Sequence, residues 1–258
     1  MHKKRILAFI GSILLTFLFA VSCSQTPPNA HSSSALTVSA AASLKDAMGD
    51  IKQLYTQTNL TYNFGGSGSL QQQIEQGAPV DVFISAAPKQ MNALQKKGLV
   101  LTETRKNLLR NEVVLIAPKT STAVSDFKDL TNDKVKRIAL GEPNSVPVGK
   151  YSQEVLTSLG LFAQLKPKIV FAKDVRQVLS YVETGNADAG IVYITDAKIS
   201  NKVKIVATAP AKSHSSIVYP VAVLKDSKNI DAAKQFVQFL FSERAKAVFE
   251  KYGFSSLS

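Results

Sequence analysis

The sequence predicts an α/β protein of two lobes, each a mostly parallel sheet flanked by helices, joined by two crossing strands. Three observations carry that class. Short β-rich apolar runs alternate with segments of helical periodicity along most of the chain. Four of the strands run into a small polar turn that opens a helix: Ala41-Ala42-Ser43-Leu44, Gly65-Gly66-Ser67-Gly68-Ser69, Pro147-Val148-Gly149-Lys150 and Lys173-Asp174-Val175-Arg176. Long apolar strands at 112–118 and 217–224 bracket a self-contained α/β block, so the chain leaves the first lobe once and returns once.

The elements follow in order. Leu36–Ala40 is a strand, and Ser43 is placed to cap a helix whose Leu44, Ala47, Met48, Ile51 and Leu54 share one face. Leu60–Phe64 is the second strand. Ser67 or Ser69 caps the next helix, with Leu70 and Ile74 inward and Gly77 ending it. Asp81–Ala86 is a third strand, followed by a helix from Pro88 to Lys97 that stops at Gly98; proline is tolerated in a first turn. In the second block come a strand to Pro118, a short helix near Asp126–Leu130, strand Arg137–Leu140, helix Gly149–Leu159 closed by Gly160 and strand Lys168–Ala172. A helix carrying Val175, Val178, Leu179 and Val182 ends at Gly185, and strands Ala189–Tyr193 and Lys204–Ala209 complete the block. Strand Ser216–Leu224, interrupted by Pro220, leads to helices Asp231–Phe241 and Glu243–Tyr252. The resulting division is lobe I at 36–117 plus 220–258 and lobe II at 118–219.

The N-terminal 22 residues are a targeting segment. Lys3, Lys4 and Arg5 precede an apolar run from Ile6 to Val21, which is short for a membrane span. Small residues then precede Cys23, the only cysteine of the chain, in a pattern that resembles a bacterial lipobox with Ala20 where leucine is usual. Cys23 is therefore a candidate for lipidation, with an ordinary cleaved signal as the alternative. Residues 23–35 lack apolar periodicity, are rich in Ser and Pro, and read as a tether. This places the mature chain in the cell envelope, outside the cytoplasm.

The formal charge is +12, and +9 without the three basic leader residues. Its lysines are scattered, with no arginine stripe and no interleaved aromatics, so nucleic acid is not the expected partner. A basic surface instead steers anions. A lone cysteine leaves no disulfide to stabilise the fold, so burial must do so.

Each helix start carries unpartnered N–H groups and about half a positive charge. Several converging on one point hold a small anion without any basic side chain. At these turns Asp174 is the only acid, and it reads as an N-cap. Lys45, Lys150 and Arg176 read as solvated charges. Taken singly, Ser43 and Ser67 read as helix caps and Tyr193 as core.

Six motifs occur in order: Ala40-Ala41-Ala42-Ser43-Leu44, Gly77 through Ala86, Gly141-Glu142-Pro143 with Val146-Pro147-Val148-Gly149, Asp174-Val175-Arg176, Gly190-Ile191-Val192-Tyr193 and Lys251-Tyr252-Gly253-Phe254. Together they resemble the molybdate-binding proteins of bacterial ABC importers, over Leu36 to Phe254. The resemblance implies a two-lobed Venus-flytrap receptor for molybdate or tungstate, with a membrane permease as partner, no cofactor and no catalysis. Carried onto matching positions, the oxyanion's ligands would be the hydroxyls of Ser43, Ser67 and Tyr193 and backbone N–H groups at Ala42, Ser67, Val148 and Val175. The metal would be held only through its oxygens. Val148 stands where many relatives have alanine, and the turn around Ser67 is richer in glycine than in some.

Three other readings compete. Sulfate has the same charge and shape, so a sulfate receptor differs only in cavity size. A serine hydrolase using Ser43 or Ser67 lacks an activating base, since His2, His31 and His214 lie in the leader, the tether and a polar loop. A ferric-ion receptor would need clustered tyrosines or carboxylates, and the sequence alone displays none. The protein is expected to be monomeric.

Overall fold

A computed structural model describes residues 35–257. The targeting segment, Cys23 and all of the tether but Ala35 lie outside the described residues.

Eleven strands form among the described residues: β1 Leu36–Ala41, β2 Leu60–Gly65, β3 Val82–Ile84, β4 Lys106–Arg110, β5 Val113–Pro118, β6 Ile138–Gly141, β7 Ile169–Ala172, β8 Ala189–Tyr193, β9 Val203–Thr208, β10 Val218–Val223 and β11 Ser255–Ser256. The α-helices are α1 Lys45–Leu54, α2 Ser67–Glu75, α3 Pro88–Lys96, α4 Pro147–Ser158, α5 Phe162–Leu165, α6 Val175–Glu183, α7 Ile194–Lys198, α8 Ile230–Leu240 and α9 Glu243–Lys251. One sheet runs β11-β4-β10-β3-β1-β2 and the other β7-β6-β8-β5-β9.

Parallel pairing is confined to β2-β1-β3 and β7-β6-β8. The remaining ladders are antiparallel, so each sheet is mixed rather than mostly parallel. The reason is the connectivity. A strand arriving from the other lobe needs no helical crossover and enters against the local strand direction. Sheet membership also moves the lobe boundaries. β5 lies wholly in the second sheet and β10 wholly in the first, so the chain changes sheet at Asn111-Glu112 and within residues 209–217, not at 117 and 219. An apolar run records that a strand is buried but not which sheet buries it.

Burial follows strand alternation. Val82 and Ile84 face the main core, while Phe83 between them faces a second cluster with Leu70, Ile74, Met91 and Leu94 of α2 and α3. The first sheet therefore carries helices on both faces, and its central strands β1, β3 and β10 are buried along nearly their whole length. The glycines read as helix stops do that work: Gly77, Gly98, Gly160 and Gly185 all adopt φ between +69° and +87°, a region costly for other residues. Six short or polar elements escape the sequence reading: β4, β11, α5, α7 and 3-10 turns at Thr102–Thr104 and Lys166–Lys168.

Candidate functional site

The strands that run parallel end together. Ala41 ends β1, Gly65 ends β2, Ala86 follows β3, Val146 follows β6, Val175 follows β7 and Tyr193 ends β8. Carboxyl ends of parallel strands are where α/β folds place ligands, because helix N-termini collect there. A small cleft of about 200 Å³, counting its open mouth, lies at this point. Ala41, Ala42, Ser43, Gly65, Gly66, Ser67 and Ala86 line it from the first sheet, and Val146, Pro147, Val148, Val175 and Tyr193 from the second. None of these side chains is charged.

All six residues singled out in the sequence, Ala42, Ser43, Ser67, Val148, Val175 and Tyr193, line this one cleft. Ser67 opens α2, Val148 lies in the first turn of α4 and Val175 opens α6, so their N–H groups have no acceptor within the helix. Among the described residues no other backbone carbonyl takes them up, nor the Ala42 N–H.

Neither serine caps a helix. Gly66 occupies the N-cap of α2, and Ala41 that of the 3-10 turn Ala42–Leu44, with no side-chain capping bond at either. Ser67 Oγ instead accepts from the Ala86 N–H at 3.0 Å. Ser43 Oγ lies 2.9 Å from Tyr219 Oη. Asp174 does cap α6, accepting from the Gln177 N–H at 2.9 Å, which keeps its carboxylate occupied. Both serines are buried, and a Ser67 hydroxyl that already accepts has its proton left to donate.

Tyr193 is 1 % exposed, yet its hydroxyl has no hydrogen-bond partner among the described residues. An unpaired buried hydroxyl costs about 1–3 kcal/mol. Burial, reinforced by the nearby phenols of Tyr219 and Tyr151 and by Asp196, pushes its pKa well above that of a free tyrosine. Tyr219 is raised for the same first reason. The structure thus brings together tyrosines that the sequence did not reveal as a cluster, with ring centroids 6.5 Å apart for Tyr151 and Tyr193 and 5.9 Å for Tyr193 and Tyr219. Buried phenols so raised stay protonated. They are donors of hydrogen bonds.

Arg176 corrects another expectation. It is no solvated charge: its guanidinium contacts Asp46 and Asp196 at 2.6 Å each and donates to the Ser43 carbonyl at 3.3 Å. Asp46 belongs to α1 and Asp196 to α7, so the arginine ties elements of the two sheets beside the cleft. Asp196 is fully buried, and desolvation pushes it up to about 7 even though Arg176 opposes the shift. Lys150 remains a surface charge, 3.6 Å from Glu154.

The two halves also approach closely at the glycine-rich turn. The Gly68 N–H donates to the Ser145 carbonyl at 2.8 Å. A Cβ on Gly68 would lie 2.6 Å from that oxygen, and one on Gly66 would lie 2.6 Å from the Lys173 carbonyl. These glycines are needed for approach.

The arrangement offers uncharged donors, from both sheets, to something that only accepts. His214, the histidine among the described residues, contacts the Ser215 carbonyl at 2.8 Å and does not line the cleft, so it serves neither serine as a base.

Residues 36–255 match the model of a family described as bacterial extracellular solute-binding protein. A provisionally named ABC transporter substrate-binding lipoprotein, YvgL of Bacillus subtilis, is 45% identical over 260 residues, covering 98% of this chain and 99% of its own. The molybdate-binding protein ModA of Haemophilus influenzae is 40% identical over 232 residues, covering 87% and 91%. Among solved structures, the periplasmic molybdate-binding protein of Azotobacter vinelandii superposes with a TM-score of 0.79 at 27% identity, covering 86% of this chain and all of that one.

Proposed function

Because the chain belongs to the bacterial extracellular solute-binding protein family, we propose that it is the extracytoplasmic receptor of an ABC importer and binds molybdate, or tungstate, in the cleft between its sheets. It is a binding protein rather than an enzyme, and the oxyanion is its ligand rather than a cofactor. The hydroxyls of Ser43, Ser67 and Tyr193 and the N–H groups of Ala42, Ser67, Val148 and Val175 surround the anion. A membrane permease receives it. Lipidation at Cys23 would tether the receptor to the membrane, a reading supported by the lipoprotein name of the Bacillus relative.

The observation that supports this reading is the Tyr193 hydroxyl, buried, protonated and without a partner among the described residues, on a side chain that lines an uncharged cleft. A group in that state lowers its cost by donating to an acceptor that enters the cleft. Molybdate near neutral pH is a tetrahedral dianion with acceptor oxygens only, so a wall of donors satisfies it without a competing lone pair.

Hydrogen bonds to a charged partner contribute about 1.5–3 kcal/mol each. Seven such bonds sum to over 10 kcal/mol, from which desolvating the dianion and ordering the cleft subtract. Submicromolar affinity needs only about 8 kcal/mol, so no cationic side chain is required. The donors come from both sheets, and the anion therefore stabilises the form in which they meet, which is how a permease would sense a loaded receptor.

Isothermal calorimetry of the purified protein tests the reading. Molybdate and tungstate are expected to bind tightly, and sulfate at least tenfold more weakly, about 1.4 kcal/mol. Equal affinity for sulfate would remove the molybdate assignment and leave a general oxyanion receptor.

A further inference from the structure

We propose that Tyr219 and Asn111 are positioning residues that turn the Ser43 hydroxyl proton toward the bound anion, an inference that rests on the anion reading of the cleft. Asn111 is the outer end of the relay. Its side-chain oxygen accepts from the Glu112 N–H at 2.9 Å, which fixes the orientation of the amide. Its nitrogen therefore faces Thr195 Oγ1 at 2.9 Å and Tyr219 Oη at 3.1 Å, and both amide protons are assigned.

Tyr219 is fully buried, and its oxygen accepts from Asn111. The phenol keeps a proton of its own, and among its hydrogen-bond partners Ser43 Oγ, at 2.9 Å, is the one able to accept it. The opposite direction, with Ser43 donating to Tyr219, would strand a buried phenol proton without an acceptor. Ser43 thus receives a hydrogen bond from the protein, and its own proton is left for the cleft.

The direction matters because the ligand cannot donate. A Ser43 turned the other way would point a lone pair at an anion oxygen. At Ser67 the equivalent direction is set by a backbone N–H, which has no alternative. Tyr219 is a hydroxyl and could reverse, and Asn111 is what prevents it. The relay is also tied to the junction between the sheets. Asn111 lies in the two-residue link from β4 to β5, Tyr219 follows the second link, and Thr195 belongs to α7.

A thermodynamic cycle tests the proposal. Molybdate is titrated calorimetrically into the wild type, Ser43→Ala, Tyr219→Phe and the double variant. Phenylalanine keeps the ring against Tyr193 and Phe254. Tyr219→Phe is expected to weaken binding about fivefold to tenfold alone, and to have no further effect once Ser43 is alanine. Asn111→Ala is expected to behave likewise and serves if Tyr219→Phe fails to fold. A merely structural role would give equal losses in both backgrounds, and that result overturns the relay. So does unchanged affinity in Tyr219→Phe where Ser43→Ala binds weakly. If Ser43→Ala binds as the wild type does, the assignment of Ser43 itself fails; if the wild type ignores molybdate, the anion reading fails with it.

Discussion

Replacing Tyr193 by phenylalanine should move affinity and stability in opposite directions. The side chain ends β8 at 1 % exposure, and its hydroxyl has no partner among the described residues. Deleting that oxygen leaves one anion oxygen without a charge-assisted donor, a loss of about 1.5–3 kcal/mol. The dissociation constant for molybdate should therefore rise about 10- to 150-fold. In the absence of anion the same deletion removes a buried, unsatisfied polar atom and leaves the ring packed against Tyr151 and Tyr219. The unliganded variant should be more stable by about 1 kcal/mol, raising its melting temperature by about 2–4 °C. Calorimetric titration gives the first number and thermal unfolding without ligand gives the second. An unchanged dissociation constant, or a variant that loses affinity and stability together, would refute the reasoning. The second outcome would mean that the hydroxyl serves the core and not the cleft.

Two further predictions use other parts of the site. Gly68→Ala places a methyl 2.6 Å from the Ser145 carbonyl, so the sheets cannot meet, although α2 itself gains about 1 kcal/mol in helix propensity. Molybdate affinity should drop at least tenfold, about 1.4 kcal/mol, with the fold intact by circular dichroism; wild-type affinity would show that this contact is not needed for binding. Asp196→Asn isolates a pH effect, since burial pushes Asp196 from 3.8 up to about 7 in the folded chain. The folded state then holds a proton that the unfolded state releases, so its stabilising contribution is full below about pH 4 and lost as pH rises to about 7. The upper limit is about 4 kcal/mol. Melting curves of wild type and Asp196→Asn should converge or cross across that window and run parallel above it, whereas parallel curves throughout would rule out the shift.

What the sequence revealed and what it hid divide along physical lines. Helix ends were legible at Gly77, Gly98, Gly160 and Gly185, because a positive φ is a local demand that glycine alone meets cheaply. The four strand-turn-helix junctions were legible because apolar period and turn chemistry change together there. Ala42, Ser43, Ser67, Val148, Val175 and Tyr193 meet at one cleft because carboxyl ends of parallel strands converge, which is topology rather than composition. The capping roles first read for Ser43 and Ser67 give way to bonds with Tyr219 and Ala86, both distant in sequence. Capping is a local prior, and a long-range partner overrides it without a trace in the neighbouring residues.

Tyr219 and Asn111 were missed for the same reason. Tyr219 looks like one more apolar residue of a strand, although the adjacent Pro220 accompanies a shift in register that marks the place as irregular. Asn111 was detectable only as a polar residue between two apolar runs. Arg176 looked solvated because its acids, Asp46 and Asp196, lie on other elements. The lobe boundaries moved by several residues because a continuous apolar stretch gives no sign of where one sheet ends and the next begins.

The anion's position tests the account most directly. Crystals grown with molybdate and measured at the molybdenum absorption edge should give one anomalous peak between Ser43, Ser67, Val148, Val175 and Tyr193, with donor-to-oxygen distances of about 2.7–3.1 Å. A peak at any other place on the protein, or bound anion whose oxygens do not reach the Tyr193 hydroxyl, would contradict it.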